Sequence, residues 1–128
     1  MDEYRFYNLG LPSYNTGKLI LPFLSDLIGE INSVVDLGGG TGGFLKAFEE
    51  KGINDIKLID HKSIDKKKLL IDENKFIPID FEKKSLPKLK SDLAVCLEFA
   101  EHIKKEFAYK VVNYLCSTSS IILFSSAI

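Results

Sequence analysis

Val34-Val35-Asp36-Leu37-Gly38-Gly39-Gly40-Thr41-Gly42-Gly43 decides how this chain folds. A β-branched, apolar start ends in an acid and a glycine-rich turn. Phe44-Leu45-Lys46-Ala47-Phe48-Glu49-Glu50-Lys51 then has helical periodicity. Strand, glycine turn and helix form the unit with which an α/β sheet holds a nucleotide-like ligand, because the turn aims backbone N–H groups from a helix N-terminus. A tight turn serving close packing alone is the plainer alternative. The glycines satisfy two spacings. Gly38-x-Gly40-x-x-Gly43 is the dinucleotide pattern, and Asp36-x-Gly38-x-Gly40-x-Gly42 is a second one, led by an acid. Charge separates them. A carboxylate two residues before the first glycine repels a pyrophosphate and attracts a cation, and a unit pair at 4 Å is worth roughly 4 kcal/mol at a surface-like dielectric. Asp36 is therefore expected to select a cationic ligand.

Outward from this turn, the chain alternates strands and helices. Residues 1–14 are aromatic-rich with turn signals at Asn8, Gly10 and Pro12, and read as irregular. Thr16 is expected to cap a helix running to about Gly29, with Leu19, Ile20, Phe23, Leu24, Leu27 and Ile28 at helical spacing and Pro22 near its first turns. Strands are expected at 33–37, 55–59, 75–79, 92–97 and 120–125. Helices are expected at 42–51, closed by Gly52, and at 104–116, with Phe107, Ala108, Val111, Val112 and Leu115 on one face. Residues 61–74 allow a short helix near 66–70. Continuous apolar strands between helices predict an α/β fold: a doubly wound, mostly parallel, Rossmann-like sheet in the order 3-2-1-4-5 with flanking helices. Proline cannot donate to a ladder, so Pro78 asks for an edge, and that order puts strand three there.

The balance of charge limits the function. The 128 residues are 45% hydrophobic and 27% charged with a net charge of −1, which suits one domain spanning 1–128, with 1–30 as an N-terminal extension. That balance gives no reason to expect nucleic-acid or membrane binding. Lys62 and Lys66-Lys67-Lys68 are flanked by Asp60, Asp65, Asp72 and Glu73 and read as a solvated face. No apolar run reaches the roughly 20 residues of a membrane span and no leader is visible. Cys96 and Cys116 sit in apolar contexts without CxxC spacing, and read as buried free thiols of a cytoplasmic protein.

These motifs in order resemble the class I S-adenosylmethionine-dependent methyltransferases over nearly the whole chain. Asp36, Gly38, Gly40 and Gly42 match the family's first motif. The resemblance implies that Asp36 faces the ammonium of the methionine moiety. Asp60, at the end of strand two and 22 residues after Gly38, matches the acid that accepts both ribose hydroxyls. Asp80 matches an acceptor for the adenine amino group, with Phe81 packing on the ring. Asp92-Leu93-Ala94-Val95-Cys96-Leu97-Glu98-Phe99-Ala100-Glu101-His102 resembles the fourth motif, whose end lies at the mouth of the site. There Glu98 and His102 are the catalytic candidates, His102 as the better base because its unperturbed pKa is near neutrality. Glu98-x-x-Glu101-His102 also resembles a metal-binding stretch of some metal-dependent O-methyltransferases, in which two carboxylates and an imidazole hold a divalent ion with a further ligand from elsewhere. The plainer reading has Glu98 capping a turn and His102 packed under the next helix. Ala94-Val95-Cys96-Leu97-Glu98 and Ile122-Leu123-Phe124-Ser125-Ser126-Ala127-Ile128 resemble a bacterial branch with unknown or sugar-related substrates.

The resemblance implies methyl transfer from S-adenosyl-L-methionine to an oxygen, or in second place a nitrogen, of a small-molecule acceptor. Members of that branch continue with further strands, which leaves strand five an apolar edge here and makes a homodimer through it an expectation. Two alternatives stand beside this reading. One is a non-catalytic S-adenosylmethionine-binding module or truncated methyltransferase. The other is an NAD-dependent oxidoreductase, which Gly38-x-Gly40-x-x-Gly43 and Asp60 permit and Asp36 opposes. Tyr4, Phe6, Tyr7 and Tyr14 are expected either to form a lid over the cofactor or to cover the sheet.

Overall fold

The computed structural model describes residues 3–81 and 85–126, with the backbone alone for 3–10. Five parallel strands form one sheet: β1 (Ser33–Leu37), β2 (Asp55–His61), β3 (Phe76–Ile79), β4 (Leu93–Leu97) and β5 (Ile122–Ser125). Their order is β3-β2-β1-β4-β5, the expected doubly wound order. Pro78 lies on edge strand β3, in register with Asp60 of β2, where a missing N–H interrupts no inner ladder. Among the described residues the outer side of β5 pairs with no strand.

Helices cover both faces. α1 (Glu3–Ile28) and α2 (Gly43–Glu50) close one side, with Phe44, Leu45 and Phe48 packed on Val34, Ile56 and Leu58. α3 (Ala108–Thr118) closes the other, with Val111, Tyr114 and Leu115 against Val35, Leu37 and Cys96. Two expectations about α3 change. Val112 is half exposed, and Tyr114 takes the inner position, donating from its hydroxyl to the Pro87 carbonyl at 2.7 Å. Of the cysteines, Cys96 is buried but Cys116 is exposed, because it falls on the solvent side of α3. Burial and the carboxylates of Asp36, Glu101 and Asp60 push the Cys96 thiol up to about 12.

The largest correction is at the N-terminus. Residues 3–28 are one helix, with Pro12 and Pro22 inside it, in place of an irregular stretch and a helix capped by Thr16. Thr16 instead donates its hydroxyl to the Pro12 carbonyl at 2.9 Å within the helix. Each proline removes one backbone bond and ordinarily ends or kinks a helix. Packing outweighs that cost here. A Cβ on Gly17 would stand 2.8 Å from the Ala47 Cβ and 3.0 Å from the Phe44 carbonyl oxygen, so α1 approaches α2 as closely as a glycine permits. Leu21 and Leu24 are buried on the same side. The helix therefore turns Leu19, Phe23 and Leu27, which share the helical spacing of Ile20, Leu24 and Ile28, toward solvent.

Candidate functional site: the glycine turn and the strand ends

The C-terminal ends of β1, β2 and β4 converge on the glycine turn. Gly38 leaves β1 at φ +80 and donates its N–H to the Ile59 carbonyl of β2 at 2.7 Å. Its missing side chain has a second use. A Cβ there would lie 2.3 Å from the Phe99 ring, so that ring packs directly on the Gly38 backbone. Gly40 follows at φ +63, and a Cβ on it would meet nothing within 4 Å. The turn is thus left-handed at both positions, walled by Phe99 at the first and open at the second.

Asp60 fastens the turn to β2. It is 8% exposed; one carboxylate oxygen accepts from the Gly40 N–H at 2.7 Å and the other from the His61 N–H at 2.6 Å. Each oxygen keeps a second acceptor site, so the group can still take two hydroxyl donors. Burial raises its pKa, and the two N–H bonds pull it back.

Asp36 lies under the turn. Side chains alternate along a strand, so Asp36 shares the α2 side of β1 with Val34. It is 2% exposed, and a Cβ on Gly39 would stand 2.4 Å from its carboxyl oxygen. Burial first, and the charge of Asp60 second, push its pKa to about 8. The carboxyl therefore carries its proton at neutral pH, and the surface dielectric used above does not describe its position. Its pull on a cation is expressed only if the proton leaves.

At the end of β3, Asp80 is half-buried and Phe81 is 7% exposed within the second core. The Phe81 and Phe99 rings are 5.0 Å apart and tilted by 50°. Phe99 was not singled out from sequence. An aromatic two residues past a strand opposite a glycine was the available signal.

At the end of β4, Glu98 is exposed and adopts φ +53, the sole positive φ outside glycine among the described residues. Its N–H donates to the Ser125 carbonyl of β5 at 2.9 Å, which holds this strained residue in place. His102 is not packed beneath α3. Its side chain is 73% exposed, with Nε2 3.7 Å from the Glu101 carboxylate, which also accepts from the Ser126 hydroxyl at 3.0 Å. Among the described residues no three His, Cys, Asp or Glu side chains gather as a metal site, so Glu98, Glu101 and His102 form no ligand set. Tyr4, Phe6 and Tyr7 lie outside the described side chains. Tyr14 is hydrogen-bonded to Glu50 of α2.

A family model for a methyltransferase domain matches residues 1–109. Solved structures share the fold. The S-adenosylmethionine-bound amino pentose methyltransferase CalS10 of Micromonospora echinaspora aligns with TM-score 0.74 and 12% identity over 100% of this chain and 57% of its own. DesVI of Streptomyces venezuelae aligns with TM-score 0.63 and 14% identity over 99% of this chain and 58% of its own. A methyltransferase dependent on S-adenosylmethionine from Archaeoglobus fulgidus aligns with TM-score 0.60 and 25% identity over 98% of this chain and 56% of its own. This chain thus spans less than two thirds of each. A comparison with curated proteins returned no match. The acid-led glycine turn, the parallel sheet in the order 3-2-1-4-5 and the match over residues 1–109 place this chain in the methyltransferase-domain family.

Proposed function

We propose that this chain binds S-adenosylmethionine across the ends of β1, β2 and β4 and serves methyl transfer to an oxygen of a small-molecule acceptor. The observation that carries the reading is the Asp60 carboxylate, which clasps the Gly40 N–H and retains two acceptor sites beside an open left-handed turn. A ribose diol supplies two matching donors. A pyrophosphate, in contrast, would have to sit against the Asp60 carboxylate, whose charge, after burial, already raises the pKa of the neighbouring Asp36.

The donor set fits the cofactor part by part. Asp60 accepts the ribose hydroxyls. Asp80 accepts the adenine amino group, beside an apolar wall of Phe81 and Phe99. Asp36 faces the cationic amino-acid end and releases its proton as that charge arrives, because an opposite charge favours the ionised form. S-adenosylmethionine, when bound, brings a methyl group already activated by its sulfonium. The protein's remaining work is to hold the acceptor oxygen in line with that methyl, which removes much of the entropic barrier, and to take its proton. Glu98 and His102 stand at the β4 mouth for that step, with the Glu101 carboxylate 3.7 Å from the imidazole Nε2.

Titration calorimetry with S-adenosylmethionine and its demethylated product tests the assignment, with NAD as the control. Binding of both sulfur compounds and not of NAD supports it. Stabilisation by NAD alone would reverse it in favour of hydride transfer on the same frame. A methylated product from a panel of hydroxylated small molecules separates an enzyme from a binding module.

A further inference from the structure

We infer that α1 is a self-association surface on which two copies of this chain pair antiparallel about Phe23. Leu19, Phe23 and Leu27 are 72%, 70% and 80% exposed. Single exposed apolar residues need no explanation, but a row of three along one helix face does. The spacing of four makes them one ridge, and such ridges interdigitate between helices.

The flanking residues indicate a second copy as the occupant. Lys18, Pro22 and Asp26 are exposed and each precedes a ridge residue by one, so they form a parallel row, about 100° to one side of it. That row reads positive, neutral, negative. A two-fold interface must be complementary to itself, and this row is complementary to its own reversal. At 1.5 Å per residue, Lys18 lies about 7.5 Å to one side of Phe23 and Asp26 about 4.5 Å to the other. An antiparallel partner brings the same flank of each helix together, which sets Lys18 opposite Asp26 of the second copy twice, about 3 Å apart in height. Pro22 fills the middle of the row without a charge. The ridge supplies the affinity, and the charges supply the register and direction, as exposed ion pairs contribute little by themselves. The reading is independent of methyl transfer.

Sedimentation equilibrium of the chain over the micromolar range, with four variants, tests it. The wild type is expected to dimerise reversibly. Phe23→Glu is expected to weaken the dimer at least a hundredfold. Lys18→Asp and Asp26→Lys are each expected to weaken it about tenfold, since each places two like-charge contacts across the two-fold. The double variant, Lys18→Asp with Asp26→Lys, is expected to return to within about threefold of wild type. The two residues are two turns apart in one helix, so this rescue requires pairing between chains. Three results would overturn the proposal: a monomer throughout, a dimer indifferent to Phe23→Glu, as one built on the β5 edge would be, or a double variant no better than the single ones.

Discussion

Asp36→Asn makes the sharpest test of the site, because it abolishes the titration of this group at nearly unchanged size. The folded state holds the Asp36 proton to about pH 8, for want of water and beside Asp60. An unfolded chain releases it near 3.9. Between those values unfolding releases a proton, so the contribution of Asp36 to stability is full below about pH 4, falls as pH rises, and levels off above about 8. Each pH unit in that window corresponds to 1.36 kcal/mol, so from pH 5 to 8 the wild type is expected to lose about 3–4 kcal/mol relative to Asp36→Asn. That is a large share of the stability of a small domain. The assay is urea unfolding of both proteins at pH 5, 6, 7 and 8, read as the difference between them. Any constant cost of the amide, such as an imperfect hydrogen bond under Gly39, cancels in that difference. A difference flat with pH would refute the reasoning, for it would mean that Asp36 is ionised in the fold and water reaches it beneath the turn.

Four other outcomes are expected. Asp60→Ala should cost roughly 1.5–3 kcal/mol of S-adenosylmethionine affinity by titration calorimetry, the range for hydrogen bonds to a charged group. S-adenosylmethionine binding by wild type at pH 7 should release a proton that Asp36→Asn does not, which calorimetry in buffers of different ionisation enthalpy detects. Gly38→Ala should destabilise by about 2–4 kcal/mol, combining the left-handed backbone with the clash against Phe99, and adding Phe99→Ala should recover part of that in a double-mutant cycle. Gly17→Val should destabilise by about 2–3 kcal/mol in urea by prising α1 from α2, where the nearest atoms are the Ala47 Cβ and a backbone oxygen.

How much of this was legible in the sequence differs by element. The β1–turn–α2 unit was read to within a residue or two, because apolar runs, glycines and an amphipathic stretch each act locally. The strand order was legible through Pro78, whose missing N–H restricts its strand to an edge wherever it occurs. α1 was harder. Its apolar residues, from Leu19 through Ile28, surround most of the helix, so periodicity alone gave no way to tell the face with Gly17, Leu21 and Leu24 from the face with Leu19, Phe23 and Leu27. The helix also runs through Pro12 because α2 packs against it, and proline rules describe only the isolated chain.

The candidate site divides in the same way. Residue types and their spacing determined the acid-led glycine turn, the acid closing β2 and the family they belong to, since those depend on chain order alone. Three matters belonged to the tertiary structure: Asp36 buried and protonated under Gly39, the Phe99 ring seated on Gly38, and Glu98 held left-handed by Ser125. A charge state depends on how much water and which charges surround a group, and a packing contact on what another strand brings beside it. Neither quantity exists until distant segments of the chain meet.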